Sequence, residues 1–350
     1  MSPPGVTRPY HSLRTVLRLL IVWVLIFLSA CAGLYPALYT QPGWPDRSTV
    51  STESSRSAIA GAIPTPATAG AAPSAACQTP AEFQTISVAT LNMFHGLPRF
   101  EHLEQRKVLI LEELRLLGPD VVLLQEVPVF RNRTEQIGPW LAEGLGFHLA
   151  YARANGRAAL IGFEEGEAVL SRFPIREVQR HVLLPKPGLF ENRIVLRAVI
   201  ETPLGAMEVY NTHFSHRVDR DNLRLKQAAD LIHFLENSYR LRELPAVVGG
   251  DINAIPDSAT IRLLLEEGLV DTALQVDPPA DGQTSWLDDI TDPTDSPKAR
   301  IDYLFLYAVG AEQPLTVGRC SRFLDQPFST PAGPLWASDH VGVLCELTIN

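Results

Sequence analysis

Nowhere in its 350 residues does this chain gather lysine and arginine into a run. A protein that grips duplex DNA by its phosphates usually shows such a stripe, so strong nonspecific duplex affinity is not expected. Cysteine is scarce, four in all, and no internal repeat stands out. The apolar residues, 46% of the chain against 20% charged, are ample for a large globular core.

Residues 1–18 carry Arg8, Arg14 and Arg18 and no acid, and Leu19 to Ala30 is continuously apolar or small. Charged head, apolar run and small residues together read as a secretory signal. The run ends Leu28-Ser29-Ala30-Cys31, which resembles a bacterial lipobox with Cys31 as the lipidated residue. The rival is an uncleaved signal anchor, because Ala32-Gly33-Leu34-Tyr35 extends the run toward 20 residues. A plain cleaved signal is the third reading. All three put the bulk of the protein outside the cytoplasm, membrane-tethered (periplasmic or cell-surface) in two of them and secreted in the third. Arg14 and Arg18 agree with that orientation.

Residues 32–81 follow as a spacer. Ser57 to Pro80 has no charged side chain and too few large apolar ones to bury a core, so a flexible, partly extended segment is expected. The folded domain then spans residues 82–350. Residues 1–81 hold five basic side chains (Arg8, Arg14, Arg18, Arg47, Arg56) and two acidic ones (Asp46, Glu53), which leaves 25 basic and 37 acidic, a net of −12, for the domain. Bound divalent cations can offset clustered acids. Cys77 lies in the spacer. Cys320 and Cys345 lie in strand-like segments, and either a bridge or two separate buried thiols fits them.

Short β-rich runs recur at Thr85–Leu91, Val121–Leu124, Ala168–Ser171, Ile194–Ile200, Met207–Thr212, Ala246–Val248, Ile301–Leu306 and Val341–Leu344. Helical periodicity marks Glu101–Leu117, Asn222–Leu235 and Ser258–Leu264. Gly205 reads as a hairpin turn and so argues for antiparallel pairing around it.

Five segments carry a polar cluster at an end of an apolar run: Thr90-Leu91-Asn92, Leu124-Gln125-Glu126, Asn211-Thr212-His213, Gly249-Gly250-Asp251-Ile252-Asn253, and, as a fifth, the pair Arg300-Ile301-Asp302-Tyr303 with Ser338-Asp339-His340. Asp251 and Asn253 stand two apart on one side of an extended chain. Each cluster also has a structural reading. Asn92 could cap a turn, Glu126 could be a solvated strand end, and His213 a hydrogen-bonded core histidine. Asp302 could pair with Arg300 or another cation, and Asp339-His340 could be loop polarity. Convergence of several strand ends on one edge is where sheets commonly build sites.

As a set, in this order, the motifs TLN, LQEV, NTHF, GGDINA, RIDYLF and SDH resemble the endonuclease/exonuclease/phosphatase superfamily, whose members include type I deoxyribonucleases, abasic-site endonucleases, sphingomyelinases and inositol polyphosphate 5-phosphatases. The segment Glu167–Ile175 is also similar to a strand common there. The resemblance covers about Ser87 to Leu347. It implies an α/β fold, a four-layer sandwich of two mixed, mainly antiparallel sheets packed face to face with helices outside. It also implies a metal-dependent phosphoesterase using Mg²⁺ or Mn²⁺.

On that resemblance Asn92 and Glu126 bind the metal, with Asp339 the further metal-side carboxylate; a hard carboxylate oxygen suits Mg²⁺. Asp251 orients and deprotonates the attacking water, and Asn253 holds that water or a phosphoryl oxygen. His340 donates to a phosphoryl oxygen while Asp302 fixes its tautomer. His213 protonates the leaving oxygen or contacts the phosphate. His95, Arg193 and His216 could extend the site, or be surface and strand polarity.

Two classes of function remain. One is a phosphodiester hydrolase, acting either on external DNA or RNA or on phospholipid or sphingomyelin headgroups. For a lipid substrate, Val182–Pro185 and Leu189-Phe190 could form an apolar rim, or a buried crossover. The other class is a tethered binding module that lost catalysis, against which every site residue named above is present. A monomer is expected. Specificity in such folds sits in loops, here Asn132–Trp140, Gly156–Gly166 and Val276–Ser296.

Overall fold

The computed structural model describes residues 38–41, 85–217, 220–241, 243–312 and 314–349. In chain order the elements are β1 (Leu38–Gln41), β2 (Thr85–Asn92), α1 (Leu103–Leu117), β3 (Val121–Phe130), α2 (Ile137–Leu145), β4 (His148–Gly156), α3 (Ala158–Ile161), β5 (Phe163–Ser171), β6 (Ile175–Val182), β7 (Ile194–Thr202) and β8 (Gly205–His213). They continue as α4 (Asp221–Ser238), β9 (Ala246–Asp251), α5 (Ala259–Glu266), β10 (Leu269–Asp271), β11 (Asp302–Tyr307), β12 (Leu315–Phe323), β13 (Phe328–Thr330), β14 (Gly333–Leu335) and β15 (Gly342–Ile349).

Two large sheets form. One has the order β1-β4-β5-β3-β2-β15-β12 and the other β10-β11-β9-β8-β7-β6, while β13 and β14 make a small separate pair. Each large sheet contains one parallel pair, β2 with β3 and β8 with β9; the other pairings are antiparallel. A parallel pair needs a long crossover, and α1 and α4 provide the two. The sheets are thus mixed and mainly antiparallel, with the Gly205 hairpin joining β7 to β8.

Alternate residues of each strand feed two different cores, which is why the strands read as continuous apolar runs. Ile86, Val88, Val121, Leu123, Val209, Val247, Leu304 and Leu306 meet between the sheets. Ala89, Leu91, Val122 and Leu124 face α1 and α2 instead, and Tyr210, Ala246, Val248 and Phe305 face α4 and α5. The result is four layers, helix, sheet, sheet, helix. Ser258 caps α5 by accepting from the Ile261 N–H at 3.2 Å.

Gly249 and Gly250 have separate reasons. A Cβ on Gly249 would lie 2.6 Å from Leu304 and 2.8 Å from Leu123, so the two sheets need a bare backbone there. Gly250 has φ +136°, and its Cβ would fall 1.9 Å from the Thr212 carbonyl oxygen.

Cys320 and Cys345 face each other across β12 and β15 and form a disulfide. The alternative of two separate thiols is not what forms. The signal or anchor expected at residues 1–31, with Cys31, falls outside the described residues, as does the 32–81 segment apart from β1, whose backbone pairs with β4 from Leu38 opposite Ala152 to Gln41 opposite Leu149. Among the described residues no helix is long and apolar enough to cross a membrane.

Candidate active site

The inter-sheet faces of the strands turn polar at one end. On β2 the column Ile86, Val88 continues as Thr90 and Asn92; on β9, Val247 and Gly249 lead to Asp251. Register then aligns three strands of one sheet: His213 of β8 pairs with Asp251 of β9, and Asp251 with Asp302 of β11. In the other sheet Asn92 stands opposite Gln125. Gln125 Nε2 crosses between the sheets to Asn211 Oδ1 at 2.7 Å, a buried polar link directly behind the site.

The site borders a cleft of about 570 Å³ whose walls include Asn92, Glu126, His213, Asp251, Asn253, Asp339 and His340. Asp302 stands behind His340. Seven of the eight expected site residues therefore line one cleft and the eighth supports it. His95, Arg193 and His216 line the same cleft. Arg193 is 6% exposed, so it is a buried cleft residue and not an exposed strand arginine.

Two side chains reach the cleft through unusual backbone. Between Leu124 and Val127 the β3–β5 register shifts, and Glu126 adopts φ 57°. Asn253 has φ 53° just after β9. Left-handed non-glycine residues and bulges concentrate where a side chain must be re-aimed. Here they turn Glu126 and Asn253 into the cleft.

Asn92 Nδ2 donates to Asp251 Oδ2 at 3.1 Å and lies 3.4 Å from Glu126 Oε1, while its Oδ1 accepts from the Phe94 N–H at 3.0 Å. Asp251 Oδ1 accepts from the Asn253 N–H at 2.9 Å. His213 Nε2 stands 3.3 Å from Asp251 Oδ2, and His340 Nε2 3.8 Å from the same oxygen. His340 Nδ1 lies 3.0 Å from Asp302 Oδ2, which also accepts from Thr284 Oγ1 at 2.7 Å. Asp302 thus pairs with His340. Arg300, the alternative partner, instead makes a bidentate buried bridge to Asp271 at 2.8 and 2.6 Å.

Electrostatics separate the groups by role. Burial and the neighbouring Asp302 push Asp251 up to about 7. Burial would lower His340, but Asp302, Asp339 and Asp251 outweigh it and hold the imidazolium well above its usual value. His213 is driven well below by burial and by the Arg193 and His340 charges, so it is neutral. Burial raises Asp339 to about 6. For Glu126 burial is more than offset by His95, His340 and Arg193, which keep its carboxylate ionised.

Sequence reasoning missed two groups. Thr284 Oγ1 accepts from the Ile301 and Asp302 N–H groups, each at 3.1 Å, while donating to Asp302. Arg106 of α1, fully buried, donates to the carbonyls of Met93, Phe94, Glu101 and Ala337, and so ties the loop after β2 to the segment before β15. Burial lowers it to about 10. Neither position has a local signal; the partners meet only in the fold.

For a divalent cation the donor set is hard: Glu126, Asp339 and the amide oxygen of Asn92, in a cleft rich in carboxylates. The ligand atoms of Asp251, Asp302 and His340 also lie within 4.8 Å of one another. In that group, however, Asp302 and the His340 Nδ1 are already committed to each other and to Thr284. The Glu126 side fits a cation better.

Comparison with known proteins agrees with this geometry. Residues 89–340 match the Endonuclease/Exonuclease/phosphatase family. Nocturnin of Xenopus laevis is 25% identical over 278 residues, covering 71% of this chain and 65% of its own length, so the chain spans just under two thirds of that relative. The human Nocturnin catalytic domain with bound sulfate anion superposes with TM-score 0.57 at 22% identity, covering 76% of this chain and 95% of that one. D. rerio TDP2 complexed with single strand DNA product gives TM-score 0.59 at 17% identity, covering 75% and 99%. Both structural likenesses are of fold.

The chain belongs to the endonuclease/exonuclease/phosphatase family. Members of that family are phosphodiester hydrolases dependent on divalent metal.

Proposed function

We propose that the protein is a phosphodiester hydrolase dependent on Mg²⁺ or Mn²⁺, tethered at a membrane outside the cytoplasm, which drives water onto phosphorus with Asp251 as general base. The observation that carries this is the pairing of a buried Asp251 with a cationic His340 3.8 Å away on one cleft wall. A base near neutrality beside a fixed cation matches what in-line hydrolysis needs at a nucleophile and a phosphoryl oxygen.

In this reading Asp251 takes the proton from the attacking water, and the Asn92 amide and the Asn253 N–H hold its carboxylate in place. His340 donates from Nε2 to a phosphoryl oxygen, while Asp302 accepts from Nδ1 and holds the imidazolium ring in orientation. Asn253 keeps one amide N–H on the Phe214 carbonyl at 3.2 Å and offers the other to the water or the phosphate. His213, neutral, stands with Nε2 3.3 Å from Asp251 Oδ2 and serves the leaving-group side of the cleft. Glu126, Asn92 and Asp339 would hold the cation, which supplies charge stabilisation on the phosphoryl oxygens when bound.

The extracytoplasmic placement rests on the signal-like residues 1–31, and the disulfide supports it, since such bonds persist in oxidising compartments. The substrate class is either nucleic acid, as in the relative solved with a DNA product, or a lipid headgroup. The full chain, assayed with Mg²⁺ or Mn²⁺ against DNA, RNA, sphingomyelin, phosphoinositides and bis(4-nitrophenyl) phosphate, is expected to hydrolyse a diester and to lose turnover on EDTA treatment. Undiminished turnover after EDTA would overturn the mechanism.

A further inference from the structure

The two most exposed large apolar residues among those described are neighbours, Leu189 at 92% and Phe190 at 93%. They sit at the tip of the segment between β6 and β7, whose base is closed by the Leu183 N–H donating to the Arg193 carbonyl at 2.8 Å. Leu183 is fully buried, so the segment is rooted in the core and is not a buried crossover at its tip. Glu191 and Arg193, just beyond the tip, line the cleft.

A second apolar tip is stitched to the first. Asn155 Nδ2 donates to the Asn192 carbonyl at 3.0 Å, and the Asn192 N–H donates to Asn155 Oδ1 at 2.6 Å. Asn155 begins the turn that carries Ile161, 70% exposed and itself on the cleft wall. Leu97, 53% exposed, stands on that wall too. The cleft mouth therefore has a rim of projecting aliphatic and aromatic tips.

Two of the rim's tips carry a cation, with Glu191 next to them on the cleft wall. The stretches 157–162 and 184–190 contain Arg157 and Lys186 and no acid, in a domain of net charge −12. Apolar tips flanked by cations suit an anionic lipid surface, where burial of the tips and attraction of the cations add.

The course of the chain points the same way. β1 runs antiparallel to β4 with Leu38 opposite Ala152, so β1 begins at the end of the sheet where Asn155 stitches the rim. Only seven residues separate Ala30, the end of the apolar run, from Leu38. Seven residues reach at most about 25 Å.

We infer that this rim docks on an anionic lipid bilayer, with the cleft mouth facing the headgroups. The inference shares the membrane tether with the function proposed above but needs none of its chemistry.

The test uses the full chain reconstituted in vesicles of phosphatidylcholine with 30% phosphatidylglycerol, comparing Phe190→Trp with the unaltered protein. The difference between their emissions isolates position 190, since Trp23 and the other native tryptophans are common to both. Acyl-brominated lipid is expected to quench at least half of the added emission. Added emission that brominated lipid leaves unchanged, or that responds to single-stranded DNA and not to lipid, overturns the docking. Turnover of bis(4-nitrophenyl) phosphate by the same samples reports on the catalytic reading separately: its absence, with quenching present, removes the hydrolase and leaves the docked rim.

Discussion

Asp251 is held by donors on both oxygens, from Asn92 and from the Asn253 backbone. Asp251→Asn keeps the shape and removes the base. Turnover should fall by about 10²- to 10⁴-fold, the usual worth of a positioned general base, with the melting temperature little changed; a variant with wild-type turnover would remove Asp251 from the chemistry. Thr284 acts one step behind. Its hydroxyl donates to Asp302 and accepts two backbone N–H groups. Thr284→Val strands these partners, at about 1–3 kcal/mol for each unsatisfied buried group. Both stability and kcat should drop, and the pH profile of kcat should move because Asp302 no longer holds His340 as before. Thr284→Ser should restore the profile, whereas failure of serine to rescue it would make the threonine a packing residue only. The expected residues that touch the cleft were legible because each lies at, or within a few residues of, one end of an apolar strand. Thr284 was not, since it lies in an irregular stretch and its role exists only where that stretch meets β11.

At the scale of elements, legibility followed burial. Strands β2, β3, β7, β8, β9 and β11, covered on both faces, announce themselves as apolar runs. The edge strands β6 and β12 do not: one face is open, and their sequences mix polar and apolar residues without a clear period. The segment 132–140 reads as a loop, yet Ile137 begins α2, whose apolar face packs on the first sheet's outer core. In β8, Glu208 is wholly buried and accepts from Arg197 Nε at 2.6 Å, Tyr210 Oη at 2.8 Å, and the N–H groups of Arg240 and Leu241 at 2.9 and 2.8 Å. Burial alone would raise its carboxyl, but Arg197 and those N–H groups prevail and hold it below the usual range. A carboxyl lowered in the folded state stabilises the fold above its unfolded value, near pH 4.3. That contribution is lost as pH falls through the folded value. Glu208→Gln should therefore cost about 3 kcal/mol at neutral pH, as expected for a broken buried ion pair. It should also flatten the acid side of the stability curve by one proton, about 1.4 kcal/mol per pH unit. Urea melts between pH 3 and 7 measure both, and parallel curves for the two proteins would contradict the assignment. In β9, Gly250→Ala would drive a Cβ into the Thr212 carbonyl. A loss of at least about 2 kcal/mol is expected, because alanine at such a φ is strained even before the clash.

Over the whole molecule, the site is shared between the two large sheets, whereas the disulfide lies within one of them. Cys345 lies in the middle of β15, opposite Val88 on one side and Cys320 on the other, whereas His340 precedes the strand. The bridge ties β12, the outermost strand, to a sheet whose other strands are held by two cores. It closes a loop with a sequence separation of 25. Closing a loop of that size restricts the unfolded chain by about 3 kcal/mol. A domain of this size loses roughly 2–4 °C in melting temperature per kcal/mol. Reduction, or the pair Cys320→Ser and Cys345→Ser, should then lower the melting temperature by about 6–12 °C. Turnover at 25 °C should be unchanged, because the bridge joins the middle of β15, away from the cleft. Thermal melts with and without dithiothreitol, run beside a turnover assay at 25 °C, separate the two effects. A melt that dithiothreitol does not move would show that β12 is already fixed by its pairing with β15, and equal losses of stability and turnover would show that the edge strand supports the site after all.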